Sequence, residues 1–321
     1  MSQRLKARGN KTHMALHSQC KTFLDQVAAS GARPLHEMAP AEARGQVIPP
    51  ELAGPEQPVH RVVNRRIPGD GGMIPVRVYY PVEASQLPAL VFFHGGGFVL
   101  GGLDSSDRTC RALANGSGCV VISVDYRLAP EHAFPAAADD AFAAASFVAD
   151  HAADFGVDPT LIAVGGDSAG GNLATVVALR ARDSGGPALA FQLLVYPWVD
   201  FADDSPSMRE YAADHFLTAE VMEWFANHYV PPPTDRRQPW VSPARANLAG
   251  LPPAFVLTAE CDPLRDQGEA FAQRLKEAGV QATVKRYEGM IHPFFSLGGI
   301  IEGGQTAIAD AAAALKTALT R

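Results

Sequence analysis

No apolar run in this sequence approaches the roughly 18 residues that a membrane-spanning helix needs, so no membrane is expected among its partners. The basic opening, MSQRLKARGNK, leads into polar residues and not into the apolar stretch of a secretion signal. A cytoplasmic protein is expected. Cysteine is scarce: Cys20, Cys110, Cys119 and Cys261 are widely spaced and none forms a Cys-x-x-Cys pair. That pattern argues against a zinc site and against a disulfide framework. Ordinary buried thiols are expected, Cys261 included despite the carboxylate beside it. Positive charge is also short, with 27 Lys and Arg against 34 Asp and Glu and a formal charge of −7. Phosphate backbones are bound by clustered cations, so nucleic acid is excluded as a partner. The glycine-rich stretches lack a Gly-Lys-Ser/Thr ending, and no Gly-x-Gly-x-x-Gly opens a first β-α unit. Neither a metal nor an organic cofactor is implied.

What is present is a long, well-mixed chain: 321 residues, 47% hydrophobic and 19% charged, ample for a large buried core. Candidate strands are 59–67, 73–80, 88–93, 119–126, 161–166, 191–196, 254–260 and 282–288. Between the later ones lie helical patterns near 106–116, 135–151, 169–183, 266–278 and 304–319, with apolar positions three or four apart. From the third strand onward this β-α alternation demands a parallel sheet with helices on both faces, while the first two strands look antiparallel. The fold class expected is α/β, with eight mostly parallel strands.

Two regions stand outside the alternation. Residues 1–55 hold one helical pattern, HSQCKTFLDQVAAS, and a proline-rich linker follows, IPPELAGPEQP. Residues 199–240 carry Phe201, Met208, Tyr211, Phe216, Met222, Trp224, Phe225 and Tyr229 before the break VPPPT. A segment of that length is no simple connection. It is expected to be an insertion over the carboxyl ends of the strands, where open α/β sheets bind ligands; helices that merely pad the core are the alternative. The organisation expected is a segment 1–55, a main domain 56–198 with 241–321, and an insertion 199–240.

The stretch AVGGDSAGGN, 163–172, sits where a strand should turn into a helix. Gly-x-Ser-x-Gly in that context is a nucleophile elbow, a sharp turn that leaves Ser168 exposed over a helix amino terminus. Serine needs a base and the base an orienting acid, in the chain order Ser, acid, His. Of ten histidines only His292, in YEGMIHPFF, lies beyond the seventh strand. The residues after that strand offer Glu260, Asp262 and Asp266 as the acid. Glu260 belongs to the strand end and Asp266 to a helix start, which favours Asp262. After the third strand comes FFHGGGFVLGG, 92–102, whose glycines let backbone N–H groups approach a reacting carbonyl. Gly96, Gly97 and Ala169 are therefore the candidate oxyanion hole, with His94 bracing the loop. Phe98, Phe216 and Trp224 are the candidate substrate-binding side chains.

HGGGF, YRLAPEHAFPAAADD, GDSAGGNLA, DPLRD and the late histidine occur in one order between about residue 60 and 319. In these motifs the chain resembles the bacterial hormone-sensitive-lipase-like (family IV) carboxylesterases, in the branch with a Gly-Asp-Ser-Ala-Gly elbow. The resemblance implies an α/β-hydrolase fold and a helical cap built from the amino-terminal segment plus the insertion. It implies Asp262 as the acid, and hydrolysis of small-molecule esters of short to medium acyl length through an acyl-enzyme. It also implies a homodimer through the last strand and helix. An amidase or deacetylase on the same fold, or a non-catalytic receptor-like protein, are the rival readings. Two departures stand out: Gln267 where many relatives read Glu, and Ser106 where many carry His.

Overall fold

Successive residues of the central strands feed opposite cores. In β3 (Leu87–Phe93), Ala89, Val91 and Phe93 enter one core while Leu90 and Phe92 enter the other. The same alternation holds in β7 (Ala254–Cys261), with Ala254 and Val256 on one side and Phe255, Leu257 and Ala259 on the other. Side chains of a strand alternate faces, so near-continuous apolar runs such as PALVFF dictate a sheet covered on both sides.

The computed structural model describes residues 16–46 and 49–320; the basic opening 1–11 lies outside them. The remaining strands are β1 (Arg61–Gly69), β2 (Gly72–Tyr80), β4 (Val120–Val124), β5 (Val157–Asp167), β6 (Phe191–Val195) and β8 (Ala282–Ile291). They form one eight-stranded sheet in the order β1-β2-β4-β3-β5-β6-β7-β8. β2 runs antiparallel to both β1 and β4, and every other pairing is parallel. An Asp70-Gly71 turn between Gly69 and Gly72 closes the β1–β2 hairpin, as an Asp-Gly pair favours.

The described α-helices are α1 (Ser18–Ala29), α2 (Pro40–Ala43), α3 (Asp107–Ser117), α4 (Ala136–Asp150), α5 (Ala169–Ser184), α6 (Pro206–Glu210), α7 (Ala219–Tyr229), α8 (Arg265–Glu277) and α9 (Glu302–Ala318), joined by short 3-10 turns. Helices α3 and α5 end on Gly118 and Gly185, both left-handed, the conformation glycine adopts without penalty.

The position of the site follows from where the chain turns back across the sheet. After β3 the chain passes to α3, whose Cys110, Leu113 and Ala114 join one core; after the adjacent β5 it passes to α5, whose Leu173, Val176 and Val177 join the other. Two neighbouring strands whose continuations leave to opposite faces open a crevice at their carboxyl ends. The glycine loop and Ser168 both stand there. All four cysteines are free and buried; burial pushes the thiols of Cys119 and Cys261 up to about 11 and that of Cys110 up to about 12. Thiols held protonated in this way are poor nucleophiles.

Candidate active site

Ser168 occupies the single residue between β5 and α5, with φ 56° and ψ −115°. A side-chain-bearing residue pays strain there, and its neighbours hold it in place. Ser168 N–H donates to Val195 O at 2.9 Å, and its own carbonyl accepts from Asn172 N and Trp198 N, each at 3.2 Å. Two glycines are obligatory. A Cβ on Gly166 would lie 2.3 Å from Phe93 O, and one on Gly170 would lie 1.8 Å from it.

Three residues separated by up to 124 positions converge on this turn. His292 Nε2 is 3.1 Å from Ser168 Oγ, and His292 Nδ1 is 2.7 Å from Asp262 Oδ2. Asp262 is wholly buried and its other oxygen accepts from Leu264 N at 2.9 Å. The rival carboxylates are engaged elsewhere: Glu260 accepts from Gly289 N and Asp266 from Ser207 N. The Tyr196 ring lies 4.4 Å from the imidazole, centroid to centroid. An imidazole bonded on one nitrogen to a buried carboxylate and on the other to a hydroxyl can take the hydroxyl proton and hold the resulting charge.

The glycine loop curls tightly, with Gly96 at φ 115° and its carbonyl accepting from Val99 N and Leu100 N. Gly97 is also left-handed, at φ 59°. Among the described residues, no group accepts from the N–H of Gly96, Gly97 or Ala169, so these three donors are unpaired. The loop is braced from below. His94 stacks on Tyr126 at 4.3 Å, its Nδ1 donates to Gly95 O, and Tyr126 Oη donates to His94 O. Burial pushes the His94 imidazole down to about 4, keeping it neutral.

Asp167, one residue before the serine, ties this loop to the elbow by accepting from Gly95 N at 2.9 Å. Burial pushes its carboxyl up to about 6, against the Gly95 bond and the nearby His292. Asp167 belongs to the Gly-Asp-Ser-Ala-Gly elbow of the sequence, but what its carboxylate holds is set by a loop 72 positions away.

The candidate substrate-binding residues fare differently from one another. Phe98 is fully buried and stacked on Tyr229 at 3.8 Å, so its ring offers no accessible face. Phe216 packs on Phe23 of α1 at 5.7 Å, and the Trp224 indole N–H donates to Met38 O. A further aromatic of the insertion, Phe225, lies against the loop: a Cβ on Gly97 would fall 2.2 Å from its ring. Only the helical register of α7, capped by Thr218 accepting from Val221 N, decides which of its aromatics turns inward.

Similarity to known proteins agrees with this geometry. Residues 90–296 match a family model described as alpha/beta hydrolase fold. Carboxylesterase NlhH of Mycobacterium tuberculosis is 45% identical over 295 residues, which cover 88% of this chain and 89% of that protein. An ethyl acetate hydrolase of Pseudomonas putida is 42% identical over 240 residues, covering 73% of this chain and 75% of that protein. The solved structure of a hyperthermophilic esterase from Pyrobaculum calidifontis superimposes with a TM-score of 0.90 at 46% identity, covering 95% of this chain and 99% of the other.

Proposed function

Since the chain belongs to the hormone-sensitive-lipase-like carboxylesterases of the α/β-hydrolase fold and is a carboxylic ester hydrolase, we propose that Ser168, His292 and Asp262 cleave short-to-medium acyl esters in two steps. His292 Nε2 takes the proton of Ser168 Oγ as the oxygen attacks the ester carbonyl. Asp262 fixes the imidazole tautomer and stabilises its cation, and the N–H groups of Gly96, Gly97 and Ala169 receive the oxyanion. His292 then returns the proton to the departing alkoxide. Water repeats the cycle on the acyl-enzyme. The observation that carries this reading is the unbroken line from Ser168 Oγ through His292 to buried Asp262, 3.1 and 2.7 Å, together with the three unpaired donors.

The described part of the amino-terminal segment, 16–46 and 49–55, and the insertion 199–240 act together as a cap over the main domain 56–198 and 241–321. Contacts between the two pieces support this: Phe23 with Phe216, and Trp224 with Met38 O. Arg44 adds a grip on the glycine loop, donating to Val99 O at 2.8 Å while pairing with Glu131. A cap of aromatic rings encloses limited room for an acyl chain, and the ethyl acetate activity named for one relative points the same way. With nitrophenyl esters, kcat/KM is expected to peak between about two and eight acyl carbons, each methylene gaining at most ~1 kcal/mol while it fits. A matched anilide should react far more slowly than the ester. Faster turnover of emulsified long-chain triglyceride than of dissolved butyrate ester would contradict the reading.

The free buried thiols accord with work in the cytoplasm, and among the described residues no helix is long and apolar enough to cross a membrane. The chain pairs with a second copy through β8. That strand is the open edge of the sheet, and Thr283, Val284, Lys285 and Arg286 are exposed along it. Light scattering at micromolar concentration should give twice the 34.1 kDa chain mass; a monomer mass would refute the pairing.

A further inference from the structure

Where the insertion departs from the sheet, one peptide unit is gripped from both sides. The Trp198 carbonyl accepts from Asn172 Nδ2 at 2.8 Å, and the N–H of the next residue, Val199, donates to Gln267 Oε1 at 2.9 Å. Asn172 lies on the first turn of α5, four residues after Ser168; Gln267 lies on α8, five residues after Asp262. Each side chain also holds a second group. Asn172 Nδ2 donates to Val241 O at 2.8 Å, where the insertion returns, and Gln267 Oε1 accepts from Asp200 N at 2.9 Å. Asn172 is wholly buried and Gln267 nearly so.

The chemistry at each grip admits little substitution. Two carbonyls converge on Asn172, so only the amide nitrogen satisfies them; an Asp would set an acceptor against both. At Gln267 the accepting oxygen takes two successive N–H groups, while its nitrogen faces Asp203 Oδ2 at 3.4 Å. Glutamate at this position would keep the acceptor but set a second carboxylate oxygen toward Asp203. The neutral amide thus suits this chain's own insertion.

The gripped peptide carries an aromatic group that borders the glycine loop. The Trp198 indole stacks on Phe201 at 4.0 Å, and both rings lie about the buried ring of Phe98, the residue after Gly97. We infer that Asn172 and Gln267 are positioning residues for acyl-chain selection: they lock the stem of the insertion to the helices following the nucleophile and the acid, and so fix the buried cluster of Trp198, Phe201 and Phe98 that backs the glycine loop beside the acyl site. Neither touches the reacting atoms. The inference rests on the proposed part of the insertion in the acyl pocket.

The test is an acyl-length series on Asn172→Leu, Asn172→Asp, Gln267→Leu and Gln267→Glu, with melting curves recorded in parallel. Asn172→Leu and Gln267→Leu should each raise KM for hexanoate about tenfold while lowering kcat on acetate less than about threefold. The length optimum should broaden. Asn172→Asp should be at least as severe as Asn172→Leu, and Gln267→Glu should keep the wild-type length profile because its acceptor persists, at a lowered melting temperature because its second oxygen faces Asp203. The double Leu variant should exceed the worse single by no more than about twofold, since both act on one peptide unit. If the Asn172 variants fail to fold, the Gln267 pair decides alone. A folded Gln267→Leu with a lowered melting temperature and an unchanged length profile would overturn the inference, as would an equal fall in kcat at every chain length. A wild-type enzyme without a length optimum would instead defeat the underlying cap reading.

Discussion

Ser168→Ala is expected to lower kcat by a factor on the order of 10⁴ or more while leaving the melting temperature close to that of the wild type. The side chain being removed is small, and the strained turn around it is held by backbone bonds from Ser168 N–H and C=O that alanine retains. His292→Ala should cost a similar factor. Combining the two should add little, because the hydroxyl without its base and the base without its hydroxyl are both idle. Asp262→Asn should cost less than either, since the amide still bonds the imidazole but favours the wrong tautomer. Purified variants assayed on a nitrophenyl ester of optimal length give these numbers directly. A tenth of wild-type esterase activity in Ser168→Ala would remove the serine from the mechanism.

The second large effect is expected at Gly170, and it falls on stability and activity together. A Cβ there would lie 1.8 Å from Phe93 O, 2.5 Å from Phe93 C and 2.8 Å from His94 O. All three are backbone atoms, so no side chain can swing aside. Either α5 moves off the sheet or the end of β3 shifts, and the glycine loop begins at that strand end. Gly170→Ala should cost about 3 kcal/mol or more and cut kcat in the protein that still folds. Gly102→Ala is the control, because its Cβ would meet nothing nearer than Asp125 Oδ1 at 3.4 Å. Thermal melts of the two variants side by side test the claim; equal melting temperatures would show that the helix and strand can separate without penalty.

These two positions also mark how far the chain can be understood without coordinates. The elbow, the glycine loop and the order Ser168, Asp262, His292 were legible because each motif is local: a glycine is needed wherever backbone must approach backbone, and such needs show up as short strings. All eight strands were recoverable from apolar runs, with errors confined to their ends. β5 begins at Val157 instead of 161, and β8 continues to Ile291 instead of stopping at 288. Both extensions are set by pairing with a neighbour, as in the irregular register between Leu87 and Ala89 opposite β5. The β8 extension matters, for it brings His292 to the very end of the strand. Residue patterns offered three carboxylates after β7 and favoured Asp262 by its position. Tertiary structure separates them by turning Glu260 to Gly289 N, Asp266 to Ser207 N and Asp262 to His292.

The amino-acid sequence by itself determined the layering of this protein, the chemistry at its elbow and the presence of a long aromatic insertion, since all three depend on periodicity or on contacts between near neighbours. Tertiary structure alone decided that Phe225 and not Trp224 lies against Gly97, that Asp167 holds the glycine loop, and that Asn172 and Gln267 grip the same peptide. Those contacts join residues 26 to 128 positions apart, and which partner a side chain finds at such range is fixed by how α7, α5 and α8 rotate as they pack on the sheet. No local pattern encodes that rotation.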